Sequence, residues 1–375
     1  MNKTYCTAAF THIYSDSAGN YKLCCHAYDD KNELKHFSSK DTAPFEFFLS
    51  DAMEDIRQRM IEGEEIGGCE KCYDIEREGF QSPRLFKYHS HIPKFQRFDV
   101  GDVTLKLRVF GNYCNLACYM CIPYNSSTRI KELKEANMFE EISKKDFDAR
   151  IDVNQWKVMT EDILNHIDRV KHLHITGGEP LQLPKQYKFI ESIPDDVAKN
   201  ISLSFDTNFT ELNYKGKNIF DYTERFFHTS FGISCDHFGD KLSWIRYPID
   251  IKKFEDNLRF FKDNAPYNYK VRINVTTSIL NVEDLFEIRD YYSDMGFEVD
   301  FTNTVNSPLY LNIKNHPNKE QLIKKYKNDK DMFYILRNLH RDRNEDEWKY
   351  ALSYIKRLNA HRNSNFEELW PEYNV

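Results

Sequence analysis

The sequence has no run of eighteen apolar residues, so no membrane-spanning helix is predicted. Its first twenty residues, MNKTYCTAAFTHIYSDSAGN, turn polar too soon for the apolar region of a signal peptide, and we expect a cytoplasmic protein. Positive charge is not in excess, because 52 Lys and Arg face 59 Asp and Glu for a net charge of −7. Charge therefore supplies no general attraction to nucleic acid or to an anionic membrane, and we expect neither as a partner.

The chain does have nine cysteines among its 375 residues. A reducing cytoplasm disfavours structural disulfides, so cysteines in such number favour metal or redox chemistry. Cys235 stands alone and is expected to pack in the core as a small apolar residue. The other eight form two groups: the N-terminal cysteines, which are Cys6, Cys24, Cys25, Cys69 and Cys72, and the cysteine triplet, which is Cys114, Cys118 and Cys121.

From about residue 101, short β-branched runs alternate with longer stretches of helical periodicity, which is typical of βα units and a parallel sheet. Six such units predict an α/β fold, a partial (β/α)6 TIM-like barrel, with its sites at the C-terminal ends of the strands. The predicted strands are Val103–Phe110, His172–Thr176, Ile201–Thr207, Thr229–Cys235, Val271–Thr277 and Val299–Val305. The predicted helices between them are Ser127–Ala136, Val153–His166, Gln186–Ser192, Phe254–Asn264 and Val282–Tyr292.

The chain on either side of these units does not follow the alternation, so we expect three domains. Residues 1–98 hold the N-terminal cysteines, a hairpin near Tyr14–Leu23 and one amphipathic helix near Pro44–Glu62. They predict a small cysteine-rich domain stabilised by a metal cluster. Residues 99–310 form the barrel, and residues 311–375, with helical spacing of apolar residues, form a helical extension.

The cysteine triplet directly follows the first predicted strand of the barrel, in FGNYCNLACYMCIP. Three thiolates can converge on one loop at this spacing, whereas an ordinary structural zinc or [4Fe–4S] site takes four protein ligands. Three ligands leave one iron open for a ligand that is not protein. The zinc alternative needs a fourth ligand, for which His89 or His91 could serve, although neither has conventional zinc spacing.

This loop resembles the CxxxCxxC motif of the radical S-adenosylmethionine (SAM) superfamily, and further family features follow in order over residues 101–310. Gly177, Gly178 and Glu179 lie in a TGGEP stretch after the second strand, which matches the family's GGEP element. The resemblance implies that they hold the methionine amino group of SAM. It also implies that the triplet is the catalytic metal site, binding a [4Fe–4S] cluster to which SAM attaches.

Four further residues resemble weaker elements of the same family. Asn208 lies in a DTN stretch after the third strand, and Ser234, Asp236 and Arg246 lie in ISCDHFGDKLSWIRYP after the fourth. The resemblance implies that Ser234 and Asp236 face the ribose or the substrate. Arg246 would pair with a carboxylate of SAM or of the substrate. The structural alternatives are strand-end caps for Asn208, Ser234 and Asp236 and an ion pair for Arg246.

The N-terminal segment resembles the twitch or SPASM modules of radical SAM enzymes, which bind an auxiliary cluster, here placed before the barrel. Five thiolates are offered where one [4Fe–4S] cluster needs four. We expect Cys6, Cys69, Cys72 and one of the adjacent pair, Cys24 in preference to Cys25. A zinc ribbon is the alternative, because Cys-x2-Cys pairs are common to both kinds of site.

The resemblance implies an enzyme that reductively cleaves SAM to methionine and a 5′-deoxyadenosyl radical, which then removes hydrogen from a peptide or small polar substrate. It implies a reducing electron donor such as flavodoxin or ferredoxin. It leaves open the later outcome, such as dehydrogenation, crosslinking or epimerisation. Two alternatives stay open: a non-catalytic iron–sulfur or zinc-binding protein on the same barrel, and an RNA-modifying radical SAM enzyme, against which the negative net charge argues.

Overall fold

A computed structural model describes residues 3–28, 30–86, 101–148 and 150–373. The domain boundary expected between residues 98 and 99 lies outside these ranges, as do His89 and His91. The described ranges contain ten strands: β1 His12–Ser15, β2 Tyr21–Lys22, β3 Val103–Leu107, β4 Val170–Ile175, β5 Ser202–Thr207, β6 Asn213–Tyr214, β7 Lys217–Asn218, β8 His228–Ser234, β9 Tyr269–Thr277 and β10 Glu298–Thr304.

The α-helices of the described ranges are α1 Ala8–Thr11, α2 Pro44–Phe48, α3 Asp51–Glu62, α4 Glu70–Arg77, α5 Pro83–Phe86, α6 Ser127–Glu135, α7 Lys144–Phe147, α8 Val153–Asn165, α9 Pro184–Ser192, α10 Asp195–Ala198, α11 Ile219–Thr223, α12 Gly239–Ile245, α13 Ile251–Asn264, α14 Leu285–Asp294, α15 Lys319–Tyr326, α16 Phe333–Leu339, α17 Glu345–Arg362 and α18 Phe366–Leu369. Short 3₁₀ helices lie at Pro123–Asn125, Phe139–Glu141, Ile167–Arg169, Pro180–Gln182, Leu309–Leu311, Ile313–Asn315, Lys330–Met332 and Pro371–Tyr373. None of the helices in the described ranges is long and apolar enough to cross a membrane.

One sheet of eight strands forms the centre of the fold, in the order β10-β9-β8-β5-β4-β3-β1-β2. Every neighbouring pair from β10 to β1 is parallel, and only β2 runs antiparallel to its neighbour β1. The predicted α/β class and its six barrel strands are thereby confirmed. β6 and β7 form a separate antiparallel hairpin.

The sheet has one apolar and one polar face, because side chains alternate along each strand. Leu105, Leu173 and Phe205 are buried on the apolar face and belong to the main hydrophobic core. On the opposite face the register brings Lys106 beside His174 on β4, and His174 Nε2 lies 2.8 Å from the Asp206 carboxylate on β5. The polar face therefore carries the charged side chains of the strands.

The structure differs from the sequence prediction at two elements of the N-terminal segment. The hairpin predicted near Tyr14–Leu23 forms as β1 and β2, but β1 pairs with β3 and so extends the barrel sheet. The single helix predicted near Pro44–Glu62 is instead two helices, α2 and α3. The Ser50 side chain accepts a hydrogen bond from the Met53 N–H at 3.4 Å and caps the start of α3, which separates the two helices.

Candidate functional site

The loop after β3 carries the cysteine triplet at the C-terminal end of the strand, as predicted. Cys118 is buried, and Cys114 and Cys121 are half-buried. The thiols are close enough to influence one another, since charge on Cys118 and Cys121 contributes to raising the pKa of Cys114. Burial is the largest cause of the raised pKa in all three and moves that of Cys121 to about 12. A metal that supplies positive charge would be needed to keep all three as thiolates.

Three N–H donors lie within hydrogen-bond distance of these sulfur atoms. The Nδ2 atom of Asn208 donates to Cys114 Sγ at 3.6 Å, and the Nη1 atom of Arg246 donates to Cys118 Sγ at 3.7 Å. The Leu116 amide donates to Cys114 Sγ at 3.4 Å. Such donors favour the charged form of sulfur. The structure thus brings Asn208 and Arg246, two of the predicted site residues, into contact with the triplet.

The glycine turn after β4 packs against the backbone of the cysteine loop. Gly177 and Gly178 both have positive φ, +98° and +55°, a region that favours glycine. A Cβ atom on Gly178 would lie 2.3 Å from the carbonyl oxygen of Tyr113, and the Glu179 amide donates to that same oxygen at 2.7 Å. Gly178 is therefore required by the contact between the two loops.

Glu179 connects this turn to the end of β5. Its side chain is 1% exposed. Its Oε1 atom accepts hydrogen bonds from the Leu181 amide at 3.0 Å and the Thr207 hydroxyl at 2.5 Å, and Oε2 accepts from the Asn208 amide at 2.7 Å. Burial raises the pKa of this carboxyl to about 7, although the three hydrogen bonds oppose the shift. The carboxyl expected to hold an amino group is thus already held among three donors of the chain.

Asp236 and Arg246, for which the sequence predicts separate ligand contacts, contact each other. Their side chains are buried, and Arg246 Nη2 lies 2.8 Å from Asp236 Oδ2. Asp236 Oδ1 accepts the Thr276 amide at 2.7 Å. Arg246, expected to pair with a carboxylate of SAM or substrate, therefore has an ion-pair partner within the chain. Ser234 ends β8 beside Asn274 of β9 and is half-buried.

Four of the N-terminal cysteines line one cavity. Cys6, Cys24, Cys69 and Cys72 all contribute to its wall, and Cys25 does not. Charge on Cys24, Cys6 and Cys72 contributes to the raised pKa of Cys69, for which burial is the largest cause. Cys25 instead lies near Lys106 and Arg108 at the polar face of the sheet. Burial acts to lower the pKa of these two side chains, and charge on Cys25 is among the causes that raise it. The four thiols grouped here are the four that the sequence favoured. Among the described residues, no three His, Cys, Asp or Glu side chains are placed to hold a single metal ion.

The C-terminal helix α17 supports the cysteine loop, which the sequence did not indicate. Arg362 donates to the Ala117 carbonyl at 2.7 Å and to the Glu132 carboxylate at 2.7 Å. The Tyr354 hydroxyl donates to the Tyr119 carbonyl at 2.5 Å. These residues are more than 200 positions away in sequence from the atoms they contact, so no local pattern could have revealed them.

Residues 109–295 match the family described as the Radical SAM superfamily. That range includes the triplet and all the other predicted barrel site residues, and it excludes the N-terminal cysteines. Among curated proteins, none matches the chain.

Several solved structures are similar to the chain at low identity. Native anSMEcpe with bound AdoMet is 18% identical with a TM-score of 0.41, over 64% of this chain and 61% of that one. Streptococcus suis SuiB bound to S-adenosylmethionine is 13% identical with a TM-score of 0.37, over 75% of this chain and 53% of that one. TYW1 with a lysine-pyruvate adduct is 15% identical with a TM-score of 0.33, over 58% and 70%. The chain thus spans less than two thirds of the first two structures.

Proposed function

We propose that the chain is a radical SAM enzyme with a [4Fe–4S] cluster at the cysteine triplet, because residues 109–295 match the family described as the Radical SAM superfamily. Members of this superfamily are enzymes that use such a cluster and SAM. The observation that supports the assignment is the grouping of three thiols on one loop at the C-terminal ends of parallel strands, with Asn208 and Arg246 donating to their sulfur atoms. When bound, the cluster supplies the electron that cleaves SAM to methionine and a 5′-deoxyadenosyl radical.

The residues around the triplet fit this group. Cys114, Cys118 and Cys121 would hold three irons and leave the fourth for SAM. The side-chain amide of Asn208 and the guanidinium of Arg246 donate to the sulfur atoms and stabilise thiolate charge. The burial of the loop limits the access of water, which protects reactive species.

For SAM itself we propose the predicted set of Gly177, Gly178, Glu179, Asn208, Ser234, Asp236 and Arg246. Two sets of contacts lead from these residues to the cysteine loop. Glu179 accepts the backbone N–H of Asn208, whose side chain donates to Cys114. Arg246 joins Cys118 to Asp236. A carboxylate oxygen can accept more than one hydrogen bond, so Glu179 Oε2 can also receive an ammonium group. A nearby ammonium would favour the ionised form of this carboxyl.

We propose a second, auxiliary [4Fe–4S] cluster at Cys6, Cys24, Cys69 and Cys72, in a twitch- or SPASM-like module. The shared cavity of these four thiols supports the proposal, and so does the exclusion of Cys25 from that cavity. Zinc is the alternative metal at these thiols, and analysis of the bound metal distinguishes the two. The division into residues 1–98, 99–310 and 311–375 is also part of the proposal, with β1 of the first unit paired to β3 of the second.

The proposed substrate is a peptide or a small polar molecule, from which the radical removes hydrogen, and the proposed reductant is a flavodoxin or ferredoxin in the cytoplasm. The test is anaerobic incubation of the reconstituted protein with dithionite and SAM. Wild type is expected to form 5′-deoxyadenosine, whereas Cys114→Ala, Cys118→Ala and Cys121→Ala should each lose at least about 100-fold in rate, because each removes a ligand of the cluster.

Cys235→Ala is the matched control. Cys235 is buried, and its thiol hydrogen-bonds with the His237 carbonyl and the Tyr292 hydroxyl and is not one of the triplet. It should keep wild-type product formation. Deoxyadenosine formation by a triplet variant at the wild-type rate would contradict the proposal. No product from a wild type that holds its iron would favour a non-catalytic iron–sulfur protein.

A further inference from the structure

A large cleft lies between the N-terminal segment and the last strand of the sheet. It has a volume of about 970 Å³. One wall is a single face of α4 and its C-terminal cap, since Lys71, Asp74, Ile75 and Glu78 all line it at helical spacing. The other wall is formed by β10 and α16. We call it the α4–β10 cleft. Its volume is near the upper end for small-molecule sites, which suits an occupant of several residues.

The charges that line this cleft do not cancel. Its five Lys and Arg side chains face three carboxylates. The carboxylates are used in three ion pairs, Arg77–Asp74 at 2.7 Å, Arg272–Asp300 at 3.1 Å and Arg337–Glu78 at 2.7 Å. Lys71 and Arg341 make no ion pair with any described residue. A protein of net charge −7 thus presents a cleft with two uncompensated cations, which attracts an anionic occupant.

The neutral side chains of the cleft are those that recognise a peptide backbone. Thr302, Asn303 and Asn306 line it and are exposed. Hydroxyl and amide groups can both donate and accept hydrogen bonds, so they match the alternating N–H and C=O groups of an extended chain. Tyr28 and Leu309, also exposed, supply apolar contact.

The cleft adjoins the cavity of the four N-terminal thiols and lies against two strands of the barrel sheet. His26 lines both this cleft and the cavity of the four N-terminal thiols, and its amide donates to Cys24 Sγ at 3.4 Å. Arg272 and Asp300 place the cleft at β9 and β10, two strands of the barrel sheet. An occupant would therefore extend from the surface of the protein toward the auxiliary cysteines and the barrel.

We propose that the α4–β10 cleft binds an extended acidic peptide segment, and that this segment belongs to the substrate. The second half of this statement rests on the function proposed above. Nucleic acid is also anionic, but it gains its affinity from many phosphate contacts, and two uncompensated cations offer few. A short peptide with a few carboxylates matches both the charge and the hydrogen-bonding side chains of the cleft.

The test is fluorescence anisotropy with fluorescein-labelled decaglutamate, under anaerobic conditions and without SAM. The full-length wild type should bind this probe about tenfold or more tightly than a Gly-Ser decamer or decalysine, and more weakly at high salt. Lys71→Glu/Arg341→Glu should lose about tenfold in affinity. Arg341→Glu alone should lose part of this affinity. Because Arg341 lies outside the N-terminal cysteine segment, this variant tests the cleft without altering that segment.

The matched control is Lys252→Glu/Lys349→Glu, which changes net charge by the same amount at two exposed lysines that do not line the cleft. It should bind decaglutamate as wild type does. Equal affinity for the Gly-Ser decamer, an unchanged Kd in both Arg341 variants, or tighter binding of a single-stranded RNA decamer would each overturn the proposal. Because the assay contains no SAM, it is independent of deoxyadenosine formation, which tests the proposed function separately.

Discussion

Glu179 holds two turns together through one buried carboxyl group. Its carboxylate oxygens accept hydrogen bonds from Leu181 in the turn after β4, and from Thr207 and Asn208 at the end of β5. Asn208 in turn contacts Cys114. A change at Glu179 should therefore affect the position of the cysteine loop as well as any direct contact with SAM.

The raised pKa of Glu179 predicts a pH-dependent contribution to stability. The pKa is about 7 in the folded protein, against 4.5 as the ordinary value. The contribution is complete below pH 4.5 and is lost as pH rises through 7, because the unfolded chain then gains the ionised form more readily. Urea unfolding of wild type and Glu179→Gln between pH 5 and 8 should show their difference in unfolding free energy falling by about 2.5 kcal/mol.

Glu140→Gln is a control of opposite sign, because the hydrogen bond from Arg357 lowers the pKa of Glu140. Its contribution is lost only as pH falls toward and below 4.5, so the difference between wild type and Glu140→Gln should stay nearly constant from pH 5 to 8. A difference between wild type and Glu179→Gln that stays flat from pH 5 to 8 would contradict the assignment of a raised pKa to this carboxyl.

The sequence predicted single site residues where they belong to a motif. It did not predict those whose role depends on contacts made in the folded structure. The triplet was predicted from its spacing, whereas spacing does not distinguish Cys24 from Cys25; the structure groups Cys24 with Cys6, Cys69 and Cys72. The ion pair between Asp236 and Arg246 was a stated alternative, but the choice between it and a ligand contact depends on side-chain direction. Sequence alone does not give that direction.

At the scale of elements, two neighbouring turns depend on a single glycine. Gly178→Ala would place a Cβ atom 2.3 Å from the Tyr113 carbonyl oxygen, at a positive φ. We expect a lower Tm and loss of deoxyadenosine formation, because the cysteine loop has to shift. Gly216→Ala is the matched control, since Gly216 also has a positive φ but has no atom within 4 Å of the added Cβ.

The Tm of the two glycine variants is measured by differential scanning fluorimetry, and their product formation by the deoxyadenosine assay. The strain of a positive φ is common to both, about 1 kcal/mol, so the difference between them reports the contact with Tyr113. Equal Tm and equal product formation in the two variants would show that the contact between the turns is unimportant.

The elements of the barrel follow from the sequence because their signal is local. Ile201–Thr207 was predicted and β5 is Ser202–Thr207, and the other five barrel strands agree to within three residues. The pairing of β1 with β3 could not be predicted, because the two segments are about ninety positions apart. The break between α2 and α3 depends on one serine cap within a continuous apolar pattern.

At the scale of the whole molecule, net charge does not describe local charge. The value of −7 argued against a nucleic-acid partner, yet it gave no sign of the two uncompensated cations of the α4–β10 cleft. The cleft exists because α4 and α16 meet beside β10, where Arg337 pairs with Glu78. A contact between segments so far apart in sequence cannot be predicted from amino-acid composition.

Segments from both ends of the chain contact the strand and the loop that carry the cysteine triplet. β1 extends the sheet beyond β3, and α17 fixes the loop through Arg362 and Tyr354. The C-terminal region, predicted as a helical extension, thus helps to hold the cysteine loop in place. Residues from each of the three proposed units take part.

The measurement that tests the central claim most directly is the iron and acid-labile sulfide content per chain after anaerobic reconstitution. Wild type should hold about eight iron, and the triple variant Cys114→Ala/Cys118→Ala/Cys121→Ala about four, because one [4Fe–4S] cluster is lost. Cys24→Ala should lose the other four, whereas Cys25→Ala should keep all eight. A wild type that holds zinc and no iron, or a triple variant with undiminished iron, would contradict the account.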